Sequence, residues 1–220
     1  MNEIKRKKDI GEIIIEVINR LQEHKDTVIS VGIIFTVIAV VIIYFLIHYS
    51  SFKKSVWEKI SIAEGYVYNN MPNDAIKILD EIINESPNSK SKHILYVKLL
   101  KGDVLYNIGN YKDAIVLYKD IINAGKPPNI VPFAYSGLGY SYENIGNYPE
   151  AITIYTEFLE KFGEHFYAPR IYESLARVYT LSGSLIQAKQ TYEKIITLYP
   201  GTNWAKKAQE EISKFPQEKK

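Results

Sequence analysis

The chain has 220 residues, 46% of them hydrophobic and 24% charged, with a formal net charge of +2 and no cysteine. That length suits one domain plus an anchor. The near-balance of charge offers no basic face for neutralising phosphates, which speaks against nucleic acid. The missing cysteine excludes a thiol nucleophile, Cys-ligated zinc, disulfides and an acylated cysteine.

In chain order, residues 1–26 come first, a cytoplasmic segment whose charges balance: Lys5, Arg6, Lys7, Lys8, Arg20 and Lys25 against Glu3, Asp9, Glu12, Glu16, Glu23 and Asp26. Within it Ile10, Ile13, Ile14, Val17, Ile18 and Leu21 recur at helical spacing and predict an amphipathic helix with one apolar stripe. Its polar face carries Glu12, Glu16 and Glu23 beside Arg20, unlike the cationic faces that anionic lipid attracts. The stripe has two readings: a helix resting on the bilayer without a specific partner, or a docking face for a membrane or cytoplasmic partner.

Next, residues 28–47 read VISVGIIFTVIAVVIIYFLI without a charge, and none follows until Lys53. Twenty helical residues at about 1.5 Å each span roughly 30 Å, the thickness of the bilayer hydrocarbon. A cleaved signal peptide has an apolar core of only about 7–15 residues and a small-residue exit site, and Ile47-His48-Tyr49 is a poor one. The expectation is an uncleaved transmembrane helix over 27–49. Six Lys/Arg precede it, against Lys53, Lys54 and Lys59 close behind. The positive-inside rule then puts the N-terminus in the cytoplasm and the rest outside. Tyr44, Tyr49 and Trp57 fall at or just past its outer end, where aromatic rings favour the interface.

Residues 50–214 repeat one pattern four times, and 215–220 form a loose tail. Helices are expected over about 51–69 with 73–85, 89–107 with 110–124, 130–145 with 147–162, and 167–181 with 184–198. Asn69-Asn70-Met71-Pro72, Gly109-Asn110, Gly146-Asn147 and Ser182-Gly183-Ser184 supply the turns inside pairs. Pro87, Pro127-Pro128 and Pro200 break the chain between pairs. Thr202 caps a last helix over about 203–214 that shields the end of the stack. The clearest copies are Tyr135-x2-Leu138-Gly139-x2-Tyr142 with Ala151-x3-Tyr155, and Tyr172-x2-Leu175-Ala176-x2-Tyr179 with Ala188-x3-Tyr192. Two weaker ones centre on Ala75 and Ala114.

This pattern resembles the tetratricopeptide repeat (TPR), in which small residues let two antiparallel helices touch. The implied fold is all-α: a TPR-like α-solenoid of about four helix pairs plus a C-terminal capping helix, preceded by a single transmembrane helix. Ala63, Gly102, Gly139 and Ala176, with Ala75, Ala114, Ala151 and Ala188, are read as contact points, filled around by Leu79, Tyr118, Tyr155 and Tyr192. The resemblance further implies that the first helix of each pair lines a concave, partner-binding groove. Its expected residues are Tyr96, Leu99, Asp103, Tyr106 and Asn107; Phe133, Ser136, Tyr140, Glu143 and Asn144; and Arg170, Glu173 and Arg177. Trp57, Ile60, Glu64 and Thr180 occupy similar positions in the register. Several aromatics flanked by polar groups suit a peptide or helix, although some of the rings could instead pack internally. Ile60 and Glu64 in the first pair leave no place for the carboxylate clamp of cochaperone TPR domains.

No enzyme is expected. His24, His48, His93 and His165 lie in different elements without metal-ligand spacing, and neither G-x-S-x-G nor a phosphate-cradling glycine loop occurs. No cofactor or metal is implied. Short charged N-terminus, one span and TPR-like pairs together resemble the ancillary Sec-translocon subunits of bacterial inner membranes, as does Leu21-Gln-Glu-His24-Lys25 running into the span. That resemblance implies an inner-membrane, single-pass protein with periplasmic repeats that meets the translocon or a periplasmic chaperone in protein export or envelope assembly. The last two repeats, with Tyr199-Pro200-Gly-Thr-Asn-Trp204-Ala205, equally resemble those of outer-membrane assembly lipoproteins and of the cell-division coordinator of the Tol–Pal system. An alternative of another class is a structural subunit whose anchor and N-terminal helix make the main contacts.

Overall fold

The computed structural model describes residues 10–23, 25–86 and 88–215. The lysines and arginine at 5–8, His24, Pro87 and the tail residues 216–220 lie outside them. The described residues form ten helices and no strand, in two units, 1–55 and 56–220.

The first unit holds α1 (Ile10–Glu23) and the beginning of α2 (Lys25–Tyr68). Ile13, Ile14 and Ile18 of the expected stripe are exposed on α1. Along α2, Ile29 to Ile47 present an exposed apolar surface on all sides. The hydroxyls within it turn inward to their own backbone: Ser30 Oγ donates to the Asp26 carbonyl and Thr36 Oγ1 to that of Gly32, each at 2.8 Å. Such back-bonding satisfies a hydroxyl where no water is at hand. Among the described residues, Lys25–Ile47 is the one stretch long and apolar enough to cross a membrane.

The second unit stacks the end of α2 and eight further helices: α3 (Pro72–Glu85), α4 (Lys92–Asn107), α5 (Tyr111–Ala124), α6 (Val131–Asn144), α7 (Tyr148–Phe162), α8 (Ala168–Leu181), α9 (Leu185–Leu198) and α10 (Asn203–Ser213). Consecutive helices pack on each other from α3 to α10. The turn inside each pair recurs: the amides of Met71, Asn110, Asn147 and Ser184 donate to the carbonyls of Tyr66, Leu105, Tyr142 and Tyr179, five residues back. This closure needs a left-handed residue just before the donor, supplied by Asn70 (φ 57°), Gly109 (81°), Gly146 (75°) and Gly183 (79°).

The expected contact points are the tightest places in the stack. Ala63, Ala75, Ala114, Ala151, Ala176 and Ala188 are all fully buried. A Cβ added to Gly139 would stand 2.3 Å from the Tyr155 ring, and one on Gly102 or Gly137 would stand 2.9 or 2.4 Å from that of Tyr118. Missing side chains on α4 and α6 thus make room for tyrosines from α5 and α7. Ion pairs tie neighbours at the edges, Lys59 to Glu85 (2.8 Å) and Lys98 to Asp120 (2.6 Å). Thr202 caps α10, its Oγ1 accepting from the Ala205 amide at 3.4 Å. Phe215, assigned by sequence to the loose tail, instead packs against the buried Tyr192, with ring centroids 6.2 Å apart. Together with Trp204 and Ile212, that ring packs against the closing core of Ala176, Tyr192, Ile195 and Ala208.

Candidate functional site

The inner helices α4, α6 and α8 enclose a concave cavity of ≈ 620 Å³, with Lys207 of α10 at its edge and Tyr118 of α5 in its lining. Nine of the thirteen residues expected to line a groove do line it: Asp103, Tyr106, Asn107, Phe133, Ser136, Tyr140, Arg170, Glu173 and Arg177. One repeat period separates Asp103, Tyr140 and Arg177, so each helix delivers the same register position to the cavity.

Four expected residues are placed elsewhere. Leu99 is 9% exposed and belongs to the core cluster, and Tyr96 packs partly buried against that core and against the Trp57 ring (5.7 Å). Glu143 is consumed by internal bonds described below, and Asn144 donates to the Tyr106 hydroxyl (3.1 Å) and the Tyr140 carbonyl (2.8 Å). Ile60 is likewise buried rather than displayed, Trp57 and Glu64 are exposed, and Thr180 lines a separate small apolar pocket. Helical spacing does not separate them from the lining: Leu99 is four residues from Asp103, and Glu143 and Asn144 are three and four from Tyr140, so they share the inner face and packing decides which reach the hollow.

Sequence reasoning missed Gly137, Ser174, Tyr167 and Lys207 and read Tyr118 only as core. Gly137 and Ser174 occupy equivalent positions one period apart, but the preceding copy carries Leu100 there, so no pattern of small residues marks the position. Tyr167 stands just outside its helix, at the N-cap of α8. Lys207 lies on the terminal helix, outside the repeated pairs.

The polar lining is largely tied together. Arg177 makes a bidentate pair with Glu143, Nε to Oε1 at 2.6 Å and Nη2 to Oε2 at 2.9 Å, while Tyr155 Oη donates to Glu143 Oε2 at 2.8 Å. The bonds to Glu143 hold the Arg177 guanidinium firmly charged, and burial beside that carboxylate keeps the Tyr155 phenol protonated. Glu173 pairs with Lys207 across the lining. Tyr118 Oη donates to Asp103 Oδ1 at 2.7 Å; burial raises the Asp103 carboxyl above its ordinary range, and this bond opposes the rise. Burial pushes the Tyr140 hydroxyl up to about 12; Ser174 lies near it, yet that hydroxyl closes no hydrogen bond.

Aromatic rings crowd one rim. Phe133 packs edge-on to Tyr167 (5.5 Å) and to His165 (5.7 Å), and Arg170 lies over the Tyr167 ring at 5.9 Å. His165 Nδ1 accepts from the Tyr167 amide at 3.3 Å, a structural role. Among the described residues no cluster of three or more His, Asp or Glu side chains is arranged to hold a metal ion.

Residues 133–165 and 169–202 each match a tetratricopeptide-repeat family model. A search of curated proteins gives no match. Solved structures give several with the same fold. The chain superposes on a protein described as a kinesin light chain from Podosopora anserina, built of nearly identical TPR-like repeats, with TM-score 0.61, 15% identity and 72% of this chain and 84% of that one covered. It also superposes on a tetratricopeptide repeat protein from Parabacteroides merdae (TM-score 0.62, 16% identity, 73% and 59% covered) and on MamA (TM-score 0.54, 20% identity, 74% and 88% covered). At these identities the likeness concerns the fold. Proteins built this way are generally non-enzymatic scaffolds. The two matched segments are tetratricopeptide repeats, and they sit in a TPR-like α-solenoid, a fold that supports protein–protein interaction.

Proposed function

We propose that this protein is a membrane-anchored scaffold that holds a protein partner in its concave cavity at the extracytoplasmic face of a bacterial inner membrane. The observation that carries the reading is the cavity itself: three successive inner helices deliver aromatic and charged side chains to one hollow, and the tight outer packing leaves that hollow open. Anchoring is supported by the exposed, uncharged α2 surface from Ile29 to Ile47, and orientation by the Lys/Arg excess ahead of it. The resemblance to ancillary translocon subunits suggests protein export or envelope assembly as the setting, with the translocon or a periplasmic chaperone as partner. A second reading is favoured by the exposed Ile13, Ile14 and Ile18 on α1: a structural subunit of a membrane complex that makes its main contacts through this helix and the span.

In-cell photocrosslinking separates the two. A photoreactive residue at Asn107, in the cavity, is expected to capture a partner that one at the exposed Val116 of α5 does not. Crosslinks confined to positions 13 and 18 would instead establish the structural subunit. Reporter fusions after residue 220 check the topology: activity of an export-dependent reporter supports the orientation, and activity of a cytoplasmic one reverses it.

A further inference from the structure

The paired charges around the cavity leave two side chains over. Among the described residues no cation pairs with Asp103 and no carboxylate pairs with Arg170, whereas Arg177 is taken by Glu143 and Lys207 by Glu173. Asp103 stands on α4 and Arg170 on α8, with α6 between them, and both line the same hollow. Two helix steps of about 8–10 Å, with a seven-residue offset of about 10 Å along the axis, put their backbones roughly 20 Å apart. Between them, on α6, lie the half-buried rings of Phe133 and Tyr140.

Resting on the reading of this cavity as a partner surface, we infer that it selects an extended peptide segment carrying a basic side chain at one end, for Asp103, and an acidic one at the other, for Arg170. Six extended residues cover about 20 Å. Allowing for the reach of the ligand's own side chains, its two charges stand about four to six residues apart, with apolar or aromatic residues on the rings between. A helical segment, rising only about 1.5 Å per residue, would need about thirteen residues to span the same distance. The two wall charges face opposite partners, so a segment with its charges in the reverse order must run the other way and meets the rings with the wrong residues. Like charges set against either wall repel.

The test uses the full-length protein in mild detergent on an array of acetylated, amidated peptides. Each carries one Lys and one Asp on an uncharged Gly/Ser/Leu background, in both orders, at separations from about two to twelve. Binding is expected to peak at four to six in one order, about ten-fold above the other spacings. Arg170→Glu should transfer the preference to peptides with Lys in place of Asp. Asp103→Asn, which keeps an acceptor for Tyr118, should abolish only the preference for the peptide lysine. A peak near twelve would show a helical ligand and overturn the inference, as would binding indifferent to spacing, order and both variants, or no binding at all. Charge-indifferent binding that Tyr106→Ala nevertheless removes would overturn the inference while leaving the cavity as the partner surface. Binding that ignores Tyr106→Ala as well would end both.

Discussion

Gly139 has no side chain because Tyr155 stands where a Cβ would be, and the same tyrosine secures the Glu143–Arg177 pair beside the cavity. Gly139→Ala therefore forces an aromatic ring and its hydrogen bond to move, and is expected to cost about 1–3 kcal/mol. Gly65 on α2 faces open space, so Gly65→Ala should be neutral or stabilising by roughly 0.5–1 kcal/mol. Chemical denaturation of both variants checks the contrast; equal effects would mean the register is wrong. Asp103 gives a pH prediction. Burial raises its folded-state pKa, so the native chain holds this proton more tightly than the unfolded one. Its contribution favours folding most at low pH and is lost as pH climbs from the ordinary carboxyl value of 3.8 through the raised one. Asp103→Asn removes that pH-dependent loss, so the variant should gain on wild type between about pH 4 and 7. Urea midpoints at the two pH values measure it, and a gap that narrows instead contradicts the assigned cause.

Each helix pair is legible from a few residues, because a turn that needs a left-handed residue and a seam that needs a small one leave little choice of amino acid. Asn70, Gly109, Gly146 and Gly183 mark the turns, and Ala75, Ala114, Ala151 and Ala188 the seams, at matching intervals. Which flanking residues face the hollow is less legible. Leu99 and Asp103 are both groove candidates by their register, yet one turn of helix separates a core position from a lining one, and only packing decides it. Lys207 was hidden for a different reason: it reaches the site from a helix outside the repeat. That terminal helix has a specific duty. Thr202 secures its first turn, and Ala205, Ala208 and Phe215 close over Tyr192 and Ile195. Thr202→Ala should lower stability by about 0.5–2 kcal/mol. Hydrogen exchange should show faster opening in α10 and α9 than in α5; uniform change along the stack would contradict a local cap.

At the scale of the whole molecule the two units differ in surface. Residues 29–47 present an exposed apolar surface, and the second unit is a packed stack with a charged, aromatic hollow. Such a stack buries its core only between neighbours, so its concave face is free to vary without disturbing the fold. In the proposed function this hollow, rather than the apolar N-terminal helix, selects the partner. The direct measurement is quantitative co-purification from cells of full-length protein with and without Tyr106→Ala and Arg170→Glu together, after matching melting curves confirm that both forms are folded. The account predicts that the specific partner is lost from the variant by ten-fold or more while membrane association is unchanged. An undiminished partner in the variant would contradict it and move the working surface to the anchor and α1.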